Sequence, residues 1–277
     1  MRGETGILGG GVSLQGYNPS FNYNDYVSGN NARGSMAGGI IGCVTPKTKL
    51  EAAPTTALSP TRVRRAASQA GMTAASKTAL PTPHWHPAGR LCYLGGIVGI
   101  NSGAVTDSAP AASITVRGRY IIGGVAGLNL TNASINVSNN AIPVTVQANE
   151  CAGGVAGVNC GSIALGGTTL QVNITAESYA GGIAGSNNTR NATTASIAGG
   201  MVTGTVTATK SCAGGAAGAN YANISDVTLI DGARVRANDQ FAGGIAGCNR
   251  AGNGQTGTIT RCTNTAGQTG NNYTVYA

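Results

Sequence analysis

The chain has 277 residues, of which 45 are glycine and only 9% are charged, and aromatics reach just 4%. Average proteins hold roughly 7% glycine and about 25% charged residues, so a charged coiled coil and a core built on bulky aromatics are both excluded. There is no Gly-X-Y period, which excludes collagen, and seven cysteines at wide spacings are no disulfide framework.

Taken from its start, Met1-Arg2-Gly3-Glu4 is followed by no apolar run fit for a signal peptide. Nowhere do about 18 consecutive apolar residues occur, so no membrane-spanning helix is expected. The protein is therefore expected either to be cytoplasmic or to have its true N-terminus upstream of Met1.

Residues 1–43 end in Gly38-Gly39-Ile40-Ile41-Gly42-Cys43, the first copy of a repeat. Its pattern is Gly-Gly-Φ-x-Gly-x-Asn, with Φ apolar. The first copy departs from it at Val44, where Asn is expected. Residues 44–91 break the pattern altogether. They hold six of the nine prolines, His84-Trp85-His86 and only two glycines, Gly71 and Gly89. Their seven basic residues (Lys47, Lys49, Arg62, Arg64, Arg65, Lys77, Arg90) face one acid, Glu51, so most of the net charge of +8 is local to this stretch. A basic binding surface on the repeats does not follow from that charge. This irregular segment reads as an arm for polyanions or metal, as a flexible Pro/Ala-rich loop, or as a stretch translated out of frame. The interval of 57 residues from Gly38 to Gly95, near two repeat periods, favours the last.

From residue 92 to 277 the repeat is continuous. Copies begin at Gly95, Gly123, Gly153, Gly181, Gly214 and Gly243, spaced 28, 30, 28, 33 and 29 apart. Upstream of each lies β-branched alternation: Ile114–Val116, Val144–Val146, Val172–Ile174, Val202–Val206. Downstream stands a second apolar position, Val105, Ile163, Ile224 or Ile259. Period-two alternation between Gly/Asn/Ser turns predicts strands, and no helical stripe competes. The prediction is an all-β fold, a parallel β-solenoid whose coils of about 29 residues each carry three short strands. Stacking would place Asn101, Asn129, Asn159, Asn187, Asn220 and Asn249 in one corner ladder of amides. Two apolar ladders are expected inside the coil. One holds Met36, Tyr93, Ile121, Cys151, Tyr179, Cys212 and Phe241; the other holds Ile40, Ile97, Val125, Val155, Ile183, Ala216 and Ile245. Alternate positions, such as Ala152, Ala180, Ala126 and Ala156, form a small smooth face whose environment the sequence leaves open.

The runs GGIVGINSGAVTDS from Gly95 and GTITRCTNTAG from Gly257 resemble the GLUG repeat of bacterial surface proteins, also found as accessory arrays in IgA-cleaving metallopeptidases. The resemblance spans residues 93–277 and the copy at Gly38. It implies a secreted or cell-surface, non-catalytic, structural or adhesive array. Its partners would be a surface ligand, protein or glycan, and neighbouring repeats of a longer parent chain.

The chemistry-bearing residues give little else. No catalytic, cofactor-binding or metal-binding residue is assigned, and no cofactor or specific nucleic-acid partner is expected. No His-Glu-x-x-His occurs. The Gly-Gly-x-x-Gly runs recur in every coil and precede no Lys-Ser/Thr, so they are not phosphate loops. Asp226, Asp231 and Asp239 share one unit, but a β-helix glycan-active enzyme would need carboxylates converging in a groove. Thr203, Thr205 and Thr207 do not recur at one place on successive coils, which removes an ice-binding reading. Cys151 and Cys212 occupy equivalent slots two coils apart, about 9–10 Å from the strand spacing and beyond the roughly 7 Å limit for a bridge. The cysteines are therefore expected to be buried free thiols serving as small apolar residues. The chain ends at Tyr276-Ala277, where Gly-Gly would be expected next, which reads as a fragment of a longer array.

Overall fold

The computed structural model describes residues 92–106, 114–138, 141–188, 195–252 and 255–265, with short strands at 35–38, 41–44, 49–51, 74–75 and 274–276. The expected irregular segment 44–91 otherwise lies outside the described residues.

Among these residues there is no helix, and three long sheets run along one axis. The chain is a parallel β-solenoid. One coil illustrates the rest. Cys151–Gly153 forms the first strand, Gly154 and Val155 bend, and Ala156–Asn159 forms the second. A turn at Cys160 and Gly161 leads to the third strand, Ser162–Ala176.

Equivalent strands stack in parallel with the repeat held in register. Gly153 pairs with Gly123 and Gly181, and Asn159 pairs with Asn129 and Asn187. The first and second sheets have seven strands each. At their N-terminal end, Ser35–Gly38 lies against Cys92–Gly95, and Ile41–Val44 against Val98–Asn101. The coil of Gly38 therefore stacks directly on the coil of Gly95, with no coil between them, although 57 residues separate the two glycines.

The third sheet supplies most of the large core side chains. Val105, Ile135, Ile163, Ile197 and Ile224 form one column through the register, and Val116, Val146, Ile174, Val206 and Val235 form another. All ten side chains are buried, and their neighbours at alternate positions face outward. At about 25 cal/mol per Å2 of apolar surface, each such Ile or Val contributes about 1.5–3 kcal/mol.

The glycines of the repeat are there for closeness, and positive φ is found elsewhere, at Gly166, Gly199, Gly200, Gly204 and Gly232. A Cβ placed on Gly127 would stand 2.5 Å from the Leu94 nitrogen, backbone of the first sheet one coil earlier. First and second sheets thus touch backbone to backbone, and alanine is already too large at that position.

The bend after each Gly-Gly corrects the two ladders expected inside the coil. Ile97, Val125, Val155, Ile183 and Ala216 are wholly buried in or beside the main core, as expected. Tyr93 and Cys151, with the partly buried Ile121 and Tyr179, belong instead to a second, smaller cluster with Ile100, Leu128, Val158 and Cys160. Phe241, expected inside, is instead 56% exposed. The side chains of Met36 and Ile40 lie outside the described residues. The alternate alanines, left open by the sequence, enter the main core: Ala152, Ala180, Ala126 and Ala156 are all 0% exposed. Strand parity does not survive the bend, because the two strands it joins belong to different sheets.

Candidate functional site

Among the described residues, an array of polar side chains repeats in each coil from that of Gly95 to that of Gly243: the asparagine ladder. Asn101, Asn129, Asn159, Asn187 and Asn220 are each 0% exposed. Along the axis the Nδ2 of each donates to the Oδ1 of the next: Asn101 to Asn129 at 2.8 Å, Asn129 to Asn159 at 2.8 Å, Asn159 to Asn187 at 2.9 Å, Asn187 to Asn220 at 2.8 Å, Asn220 to Asn249 at 2.8 Å. The second hydrogen of each amide reaches the third strand of the following coil, at the carbonyls of Ser134, Ser162, Ser196 and Asn223. Asn249 ends the row by donating to the Gly257 carbonyl at 2.9 Å. From Asn101 to Asn220 the row is sealed from solvent and its amides are spent on one another and on backbone carbonyls, while Asn249 at its end is exposed. The ladder ties the second sheet to the third; it is not a ligand-binding surface.

The second cluster carries the reactive groups. Here the expectation of free thiols throughout is corrected: Cys212 and Cys248 are disulfide-bonded, with Cα atoms 6.0 Å apart. The slot joins two sheets across two coils, the position two before the Gly-Gly in one coil facing the position five after its first Gly in the next. Equivalent slots within one sheet lie too far apart, which is why Cys151 and Cys212 do not pair. The spacing of 36 residues was the readable signal, but only once the two sheets were known to touch. Cys151 and Cys160 are free and buried, and Cys262 is free and half-buried. Cys43 and Cys92 have side chains outside the described residues.

Burial, reinforced by the charge of Glu150, pushes the Cys151 thiol up to about 12. Tyr93 is raised as well, by burial first and then by Cys160 and Glu150. A thiol so disfavoured as thiolate is no nucleophile at neutral pH.

Among the described residues, Asp226 and Asp239 sit on separate bends and Asp231 in a turn, while Glu177 and Asp239 both act on Lys210. Asp226 is held by Arg261 through two bonds of 2.6 and 2.8 Å, and this pairing lowers its carboxyl below the usual range. Glu177 accepts from Lys210 and Asn149 on the neighbouring coils. Among the described residues no three His, Cys, Asp or Glu stand together as metal ligands. The outward threonines recur in part: Thr207 lies in register with Thr175, and Thr145 with Thr115, which corrects the expectation that they do not repeat on successive coils, whereas Thr203 lies beside Gln171 and Thr205 beside Asn173. Among the described residues no helix is long and apolar enough to cross a membrane.

Comparison with protein-family models, with curated proteins and with solved structures finds no match.

Proposed function

We propose that this chain is a non-catalytic structural and adhesive segment of a bacterial secreted or cell-surface protein, in keeping with its GLUG-like repeats. The observation that carries the reading is the coil-to-coil register. Buried polar groups are spent on the ladder, and the repeated chemistry serves stacking. A disulfide between adjacent coils supports an oxidising compartment outside the cytoplasm.

The test is to couple the chain to beads and measure their attachment to bacterial and animal cells, alongside assays for new reducing ends on acidic and neutral polysaccharides. Saturable attachment without chain cleavage is the expected result. Release of reducing ends, or attachment no greater than that of uncoated beads, overturns it.

A further inference from the structure

The third sheet turns one side to the core and the other outward. Its outward positions stay in register over five coils, from the strand Ile114–Arg117 to the strand Arg234–Ala237. Thr115, Thr145, Asn173, Thr205 and Arg234 make one row. Two residues further along each strand, Arg117, Gln147, Thr175, Thr207 and Arg236 make a second. Between the rows run the buried Val116, Val146, Ile174, Val206 and Val235. Of the ten outward side chains none is apolar and none is acidic, and every one is exposed or half-buried.

Their chemistry narrows what can lie on them. Paired strands stand about 4.8 Å apart, so the second row extends about 19 Å from Arg117 to Arg236, and Arg234 lies about 6.6 Å from Arg236 along its strand. Guanidiniums thus mark both ends, and hydroxyls and amides, which donate and accept, fill the middle. Carboxylates keep to the margins. Glu177, past the end of its strand, accepts from Lys210 and Asn149, and Asp231 sits in the turn before Arg234. A protein interface is anchored on buried aromatic and other large side chains, and the rows offer no apolar one. A nucleic acid calls for dense positive charge and aromatic platforms for its bases. Three cations among ten positions, with no ring, do not supply that. A sugar chain that is mostly hydroxyl, with carboxylates at intervals, matches both the polar rows and their cations.

We infer that the outward side of the third sheet, over the rows from Thr115 to Arg236, is a binding face for an extended acidic polysaccharide. Arg117, Arg234 and Arg236 hold its carboxylates, and the threonines and amides between them hold its hydroxyls. The strands Ala74–Ala75 and Thr274–Tyr276 border this face, pairing edge to edge with Thr115–Val116 and Arg234–Arg236 in the plane of the sheet. The inference rests on the adhesive reading, for which it names the ligand class.

Two pairs of substitutions probe the rows. Arg234→Gln with Arg236→Gln removes the cations at one end and leaves polar side chains at exposed places. Thr175→Val with Thr205→Val removes two central hydroxyls and changes neither charge nor branching at Cβ. Arg119→Gln is the control. Arg119 lies past the end of its strand, off both rows, with its guanidinium 5.4 Å from the centre of the Tyr120 ring.

Affinity electrophoresis is the measurement, with polygalacturonate, alginate, hyaluronate, neutral dextran or double-stranded DNA cast into native gels, and circular dichroism to confirm that each variant is folded. The wild type is expected to be retarded by at least one acidic polysaccharide, less so as salt rises, and not by dextran. Each pair should bind about tenfold more weakly, which is what the loss of one charge-assisted contact corresponds to, and Arg119→Gln should match the wild type. Retention unchanged in either pair overturns the inference, and in the arginine pair it moves the polyanion to the basic stretch 44–91. DNA retention that falls with the same arginines overturns it too, as does an equal loss in Arg119→Gln. Should one pair fail to fold, the other carries the test. Beads coated with the wild type are run on cells in parallel. Attachment to cells without affinity for any of the three acidic polysaccharides overturns this inference alone; absence of both overturns the adhesive reading with it.

Discussion

Asn159 shows what a single side chain does in this fold. Its amide accepts from Asn129 and donates to Asn187 and to the Ser196 carbonyl. Asn159→Ala leaves the Asn129 donor and the Asn187 acceptor buried without partners, and each such group costs about 1–3 kcal/mol. A loss of about 2–5 kcal/mol is expected in chemical denaturation, whereas truncating an exposed polar residue such as Gln171 should change little. Cys151 gives a second expectation, in pH. Its folded value is raised to about 12 from 9.0, so folding disfavours its thiolate. Stability is therefore intact below pH 9 and falls as pH rises towards 12. At one unit above 9 the loss is on the order of 1 kcal/mol. Melting curves of Cys151→Ala should fall less steeply over that alkaline range than those of the wild type.

At the scale of strands and sheets, the slot that holds Cys212 and Cys248 recurs in every pair of coils. In the middle of the stack it is occupied by Cys151 and Ser186, the latter buried with its hydroxyl donating to the Asn188 carbonyl. Ser186→Cys is expected to form a second bridge, seen as loss of one free thiol in the oxidised protein and a gain in thermal stability, restored to wild-type behaviour by reductant. The same slot marks where the sequence was legible and where it was not. Three strands per coil, the parallel register and the ladder from Asn101 to Asn249 follow from spacing alone, since a fixed period brings like residues together. The disulfide did not follow, because it depends on how two sheets meet across the Gly-Gly bend. The burial of Ala152 and Ala180 was hidden for the same reason: alternation predicts sides only while the strand continues.

For the molecule as a whole, each coil touches its neighbours and little else, so stability is a sum of coils and of the interfaces between them. The outermost coils are the weakest terms, and among the described residues the junction between the coils of Gly214 and Gly243 is the one covalently fastened. Hydrogen exchange read by mass spectrometry should find the strands around Gly153 and Gly181 most protected. Reductant should accelerate exchange in Phe241–Asn249 while leaving the Gly153 coil unchanged. No candidate site was legible in the sequence beyond the ladder, and the structure places that ladder in the interior. The repetition that makes the architecture readable also averages away the local irregularity from which an active site would be built.

The bridge between Cys212 and Cys248 also governs how the molecule behaves under tension. A chain pulled from its two ends yields length as its coils peel, about 3.3–3.6 Å for every residue released. The 36-residue span between the two sulfurs cannot pay out, because the load crosses the covalent bond and bypasses the backbone between them. Some 120 Å of slack is thereby held in reserve. Reduction releases it, turning the coil of Gly214 from a rigid shackle into an extensible tether.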